Sequence, residues 1–146
     1  MKFILLLLLL LLNILTDVAQ GIVIIPTKIR LMDSDFYWAL NGSNVILSLN
    51  GTKWAIYNNT ISPYGTDTVV QYKGRGKQLA TAEKGRPGEK WDIESIMEPQ
   101  TPNVTICSIL VPNECATASK IVEGGKVIAF IKTGGPKQSW TLESHF

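Results

Sequence analysis

Lys53-Trp54-Ala55-Ile56, Lys90-Trp91-Asp92-Ile93 and Ser139-Trp140-Thr141-Leu142 are the stretches whose reading decides the fold. Each sets Ile or Leu two positions after a Trp, and each closes a run of alternating apolar residues cut by Gly-rich turns. The runs before the first and third can be laid over each other. Asn44-Val45-Ile46-Leu47-Ser48-Leu49 matches Lys126-Val127-Ile128-Ala129-Phe130-Ile131. Before Trp91 stands the weaker Gln78-Leu79-Ala80-Thr81-Ala82. A recurrence of this length marks stacked supersecondary units sharing one core. Three units of short strands predict a pseudo-threefold closed β-structure, whose bulky residues meet on the axis.

Lys2, the apolar run Phe3 to Leu12 and the small residues Ala19 and Gly21 read as a secretory signal peptide cleaved after Gly21. The run falls short of the nearly twenty apolar residues that a membrane span needs. Residues 1–21 are therefore assigned to the signal peptide. Residues 22–146 are expected to form a single domain with room for a real core. The expected location is secreted and extracellular, as a monomer, with no membrane association after cleavage.

Four N-glycosylation sequons begin at Asn41, Asn50, Asn58 and Asn103, none with Pro in the middle, and each needs a surface loop. The two cysteines, Cys107 and Cys115, are close enough in sequence to close a hairpin in an oxidising compartment. Their number excludes a C-x-x-C redox site and a cysteine-based zinc site.

Helical periodicity is nearly absent after residue 21, and short β-branched runs cut by turn residues replace it. The first unit is expected to run Ile22 to Leu31, Phe36 to Leu40, Val45 to Leu49 and Trp54 to Tyr57, around Asn-Gly turns at Asn41-Gly42 and Asn50-Gly51. The second runs Thr66 to Tyr72, Gln78 to Ala82 and Lys90 to Ile96. The third runs Val104 to Val111, Ala116 to Val122, Lys126 to Ile131 and Trp140 to Glu143. About four strands per unit suit a barrel closed by hairpins, with a two-sheet sandwich as the other reading. The units should end near Tyr57, Ser95 and Ser144, with Trp54, Trp91 and Trp140 in equivalent buried places. Trp38, which has no counterpart, is expected to be more exposed.

A Trp-x-Ile/Leu closing each of three β-units, preceded by a Val-Ile pair, resembles the β-trefoil. Within that fold the chain is similar to mushroom-type trefoil serine-protease inhibitors, in which an acidic residue often follows the motif, as in Trp91-Asp92-Ile93-Glu94 and Trp140-Thr141-Leu142-Glu143. Ricin-B-type lectins come next. They end their units in Gln-x-Trp, which here only Gln138-Ser139-Trp140 matches. The inhibitor resemblance implies a partner, a secreted serine protease, and makes the turn Asn41-Gly42-Ser43-Asn44 one inhibitory candidate, though a glycan on Asn41 would obstruct it.

Catalysis is disfavoured. The single histidine, His145, is one residue from the end, where it cannot be held in a Ser-His-Asp arrangement. One His also excludes a histidine-rich metal site, and no metal or cofactor is expected. Asp33 with Asp35, or Glu94 with Glu98, could be called a carboxylate pair for glycoside hydrolysis, but acidic residues in loops are far more often solvated.

An inhibitor needs a rigid scaffold that presents a preorganised loop. For a trypsin-like target that loop should offer Lys or Arg. The middle unit supplies Lys73, Arg75 and Lys77, then Lys84, Arg86 and Lys90, against only Glu83 and Glu89. Arg86 precedes Pro87, a bond that trypsin-like enzymes rarely cut. The same basic patch suits an anionic surface, but no aromatic interleaving supports nucleic acid. Sugar binding is the runner-up reading. A lectin needs an aromatic platform beside polar groups. On the third strands only Phe130 is aromatic, with Glu114 or Glu123 as its possible acids.

Overall fold

The computed structural model describes residues 23–93 and 99–144. The expected signal peptide, the predicted unit end at Ser95, and Glu94, Glu98 and His145 lie outside the described residues. The elements are β1 (Thr27–Leu31), β2 (Tyr37–Asn41), β3 (Asn44–Ser48), β4 (Trp54–Tyr57), β5 (Thr60–Pro63), β6 (Thr68–Gln71) and β7 (Ala80–Glu83). They continue with β8 (Trp91–Asp92), β9 (Gln100–Val104), β10 (Cys107–Ser108), β11 (Glu114–Ala118), β12 (Val127–Ile131) and β13 (Trp140–Ser144). Single 3-10 turns, Pro87–Glu89 and Pro136–Gln138, precede β8 and β13.

The three units meet through their central hairpins. Asn44 pairs with Ala80, Gln78 with Ile128, and Lys126 with Ile46. Each pair joins the first residue of one aligned run to the third residue of the next. One contact is therefore repeated three times around an axis. Val45, Leu79 and Val127, the second residues of those runs, are all fully buried. The other strands close a barrel. β1 pairs with β4 and β13, β4 with β5, β13 with β9, and β8 with β10. Trp91 N donates to Asn59 O at 2.8 Å and joins β8 to the β4–β5 turn. This is the β-trefoil, all-β, with the two-sheet sandwich excluded by the threefold pairing.

The tryptophans show how the core follows the repeat. Trp54, Trp91 and Trp140 are fully buried. Their indole N–H groups donate to the carbonyls of Trp38, Val70 and Ala116, at 3.4, 3.0 and 3.1 Å. These acceptors occupy one equivalent place in β2, β6 and β11, so a buried donor is satisfied the same way in every unit. Ile29 in β1, Ile61 in β5 and Ile106 just before β10 form a second buried triplet. Each such side chain contributes roughly 1.5–3 kcal/mol on burial.

Trp38 overturns the expectation of exposure. It is fully buried and meets Trp54 and Trp140 edge to face, with ring centroids 5.9 and 5.5 Å apart. Its place is that of Val70 and Ala116. One large ring on one side of the axis offsets two smaller side chains on the others.

Three strand expectations and one turn expectation also change. β5 (Thr60–Pro63) went unread, because Pro63 and the short Thr-Ile-Ser run give no alternation long enough to see. The first strand starts at Thr27, after Pro26, rather than at Ile22. The expected strand Ala116 to Val122 stops at Ala118, leaving Ile121 and Val122 in an exposed loop. Of the two Asn-Gly turns, only Gly42 (φ +63°) takes a left-handed conformation. Gly51 is required for another reason: a Cβ there would stand 2.6 Å from Tyr37 Cβ. Cys107 and Cys115 pair across β10 and β11 and are joined by a disulfide of 2.08 Å.

Candidate functional site

The threefold repeat creates three equivalent places on the barrel wall, where the fourth strand of one unit meets the first strand and loop of the next. Met32 N donates to Ser139 O, Tyr64 N to Lys53 O and Ile109 N to Lys90 O, at 3.0, 2.9 and 3.0 Å, and these bonds mark the three places. What fills each place differs.

At the first, Arg30 Nε lies 2.6 Å from Glu143 Oε1, and the Tyr37 hydroxyl donates to Glu143 Oε2 at 3.2 Å. The Glu143 hydrogen bond raises the Arg30 pKa. Burial, helped by the Glu143 charge, raises that of Tyr37. The place is plugged by its own ion pair. At the third, Asp92, Ile109 and Pro112 border a hollow of about 160 Å³ beside the disulfide-bonded Cys107. At the second, a cleft of about 510 Å³ opens between Tyr57 and Tyr64, with Thr60, Ser62, Thr66, Asp67 and Lys84 around it.

Local sequence builds this cleft. Tyr57 ends β4, and the next two residues, Asn58 (φ +51°) and Asn59 (φ +61°), form the two-residue turn into β5. Left-handed pairs suit the twist of a hairpin, and Asn tolerates that conformation. Thr60 Oγ1 donates to Tyr57 O at 2.7 Å, and Thr66 Oγ1 to Pro63 O at 2.8 Å, holding the rims. Tyr57 and Tyr64 are 47% and 49% exposed, so each presents a ring while its base stays packed. An aromatic face beside hydroxyl, carboxylate and ammonium groups can stack on an apolar ligand face and hydrogen-bond its edge.

Sequence reasoning sought the aromatic on the third strand of each unit and missed both tyrosines. The signal was Tyr57 immediately before an Asn-Asn turn, opposite the Tyr64-Gly65 loop. Phe130 is 43% exposed and stands where the other units have Ser48 and Ala82. Its cross-strand partner is Cys115, and its proposed acids are engaged elsewhere. Glu123 accepts from Ser48 Oγ at 2.7 Å and from Leu49 N at 2.9 Å, which lowers its pKa. Glu114 is buried, with Arg75 Nε 3.6 Å away.

The basic loops are also placed. Lys73, Arg75 and Lys77 are exposed, Arg75 Nε lies 3.6 Å from Glu114, and Gly76 N donates to Ala129 O at 2.7 Å. Burial, with the Glu114 charge nearby, raises the Tyr72 pKa. Arg86 is exposed and extended (φ −95°, ψ 151°), and Glu89 closes its loop by accepting from Gly85 N at 2.8 Å. Asn41 and Asn44 close the β2–β3 hairpin and are exposed, as are the sequon residues Asn50, Asn58 and Asn103.

No family model and no curated protein matches the chain. Solved structures do. The C-half of the earthworm R-type lectin in complex with GalNAc is 16% identical, with a TM-score of 0.66 over 83% of this chain and 99% of that one. The designed threefold-symmetric protein ThreeFoil is 13% identical, with a TM-score of 0.65 over 80% and 96%. A salivary protein from Culex quiquefasciatus, of the Cysteine and Tryptophan-Rich family, is 14% identical, with a TM-score of 0.65 over 86% and 96%. These likenesses show the β-trefoil fold.

Proposed function

We propose that this protein binds carbohydrate in the cleft between Tyr57 and Tyr64. The observation that carries the reading is the contrast among three equivalent places. One is closed by Arg30 and Glu143, one is a small hollow, and one is an open cleft faced by two half-exposed aromatic rings. Tyrosine suits a pyranose, because its face covers the apolar C–H side of the sugar while Asp67, Lys84 and the Thr and Ser hydroxyls can hydrogen-bond its hydroxyls. The likeness in fold to a lectin solved with GalNAc supports the same reading. It ranks above inhibition of a secreted serine protease, which rests on the Trp-x-Ile/Leu endings and the exposed basic loops. Arg75 would have to leave Glu114, 3.6 Å away, to enter a protease pocket.

A glycan array followed by titration of the best ligand tests the reading. Tyr64→Ala and Tyr57→Ala should each weaken binding about tenfold or more, equal to about 1.4 kcal/mol. Phe130→Ala should leave it unchanged. Loss with Phe130→Ala alone would move the site to the third unit. An array without binders, together with inhibition of trypsin-like proteases lost in the Arg75→Ala/Arg86→Ala variant, would restore the inhibitor reading.

A further inference from the structure

Leu49, Ile121 and Val122 are 59%, 44% and 50% exposed, on the two loops that Glu123 ties together where the third unit's hairpin loop touches the first unit. The loop is held rigidly there. Glu123 bonds Ser48 Oγ and Leu49 N, Gly124 N donates to Leu47 O at 2.8 Å, and Leu47 N donates to Gly125 O at 2.7 Å. Three lysines gather behind the aliphatic tip. Lys126 O accepts from Ser119 N at 2.9 Å, Lys137 Nζ lies 3.5 Å from Ser119 O, and Lys120 is the next residue. The ion pairs among the described residues join Arg30 to Glu143 and Arg75 to Glu114, so none of these lysines is paired there. The carboxylate on this loop, Glu123, is bound to the first unit.

We infer that this tip docks on an anionic phospholipid surface, Leu49, Ile121 and Val122 entering the interface while Lys120, Lys126 and Lys137 meet the headgroups. Branched aliphatic side chains on a rigid loop, ringed by unpaired cations, carry both terms of peripheral membrane binding: apolar burial and attraction to anionic lipid. Either term alone is weak, and here the fold delivers both at one place. A soluble polyanion would use the lysines but leave the aliphatic side chains in water. The tip departs from the expectation of a chain without a membrane partner, and it is independent of the Tyr57–Tyr64 cleft.

The test is co-sedimentation with glycan-free vesicles of phosphatidylcholine, with and without about a third phosphatidylserine. Asn50 neighbours Leu49, so the full protein is used after enzymatic release of any N-glycans. Binding should require phosphatidylserine and weaken at high salt. It should fall at least tenfold both in Ile121→Asp/Val122→Asp and in Lys120→Glu/Lys137→Glu. All four side chains are exposed, and unchanged tryptophan fluorescence would show that the variants fold. No binding to the anionic vesicles, equal binding to neutral ones, or full binding by the Asp variant would each overturn the inference.

Discussion

Arg30 and Glu143 reach each other diagonally across β1 and β13, Nε and Oε1 2.6 Å apart, at the place where the second unit carries its open cleft. The pair is only partly shielded, with about a fifth of each side chain exposed, so its stabilising effect is small, about 1 kcal/mol or less. Its main consequence is steric. Arg30→Ala/Glu143→Ala should lower Tm by only a few degrees, while opening a hollow in the first unit. Chemical denaturation of the double variant checks the first expectation and its crystal structure the second.

The tryptophans should separate by hydrogen bonding rather than by burial. Trp→Ala at 54, 91 or 140 should cost about 3–5 kcal/mol. Trp91→Phe removes a donor whose acceptor, Val70 O, stays buried, so the lost bond adds about 1 kcal/mol to the packing cost. Trp38 differs, because its buried indole nitrogen has no partner among the described residues. Trp38→Phe relieves that unmet donor and should therefore cost less than Trp91→Phe. Urea midpoints of the two variants decide it; a more damaging Trp38→Phe would refute the ordering.

The repeat was legible because symmetry writes it three times. Val45, Leu79 and Val127 align in the sequence and are buried together, and each closing Trp keeps its place. Trp38 was misread because a residue without a counterpart looks unconstrained, whereas its position is constrained by Val70 and Ala116. Ile121 and Val122 were read as strand from their β-branching. The bonds that fix their loop come from the first unit, far away in sequence. The cleft was hidden for the same reason: Tyr57 belongs to one unit and Tyr64 to the next. Local pattern fixes what a unit looks like, and contacts between units decide what its surface presents.

Acid should loosen the clamp between the first and third units. Hydrogen bonds from Ser48 and Leu49 hold the Glu123 carboxylate below its ordinary pKa. A depressed carboxylate stabilises the fold above its unfolded pKa, and that contribution disappears as pH falls through the folded value. Glu123→Gln should therefore melt below the native protein at neutral pH and approach it in acid, below the usual carboxylate range. Thermal scans of the two proteins across that range test this, and a gap that stays constant with pH would exclude the clamp.

Gln138, from the Gln-x-Trp triplet, is a staple of the loop before β13. It is 1% exposed; Oε1 accepts from Thr133 N at 2.7 Å, and Nε2 donates to Ile131 O at 2.8 Å and to Thr117 Oγ1 at 3.0 Å. Every polar atom of this side chain is therefore used inside the protein. Gln138→Ala leaves the Thr133 amide and the Ile131 carbonyl without their partner. Each lost hydrogen bond costs roughly 0.5–1.5 kcal/mol net, so a total of about 2–4 kcal/mol is expected. Gln138→Glu keeps the accepting oxygen but loses both donations and buries a charge, and it should be at least as damaging. Both variants should keep full ligand affinity per folded molecule, since Gln138 does not line the Tyr57–Tyr64 cleft. Denaturation curves with parallel titrations measure the two quantities separately, and a loss of affinity without a loss of stability would reassign Gln138 to binding.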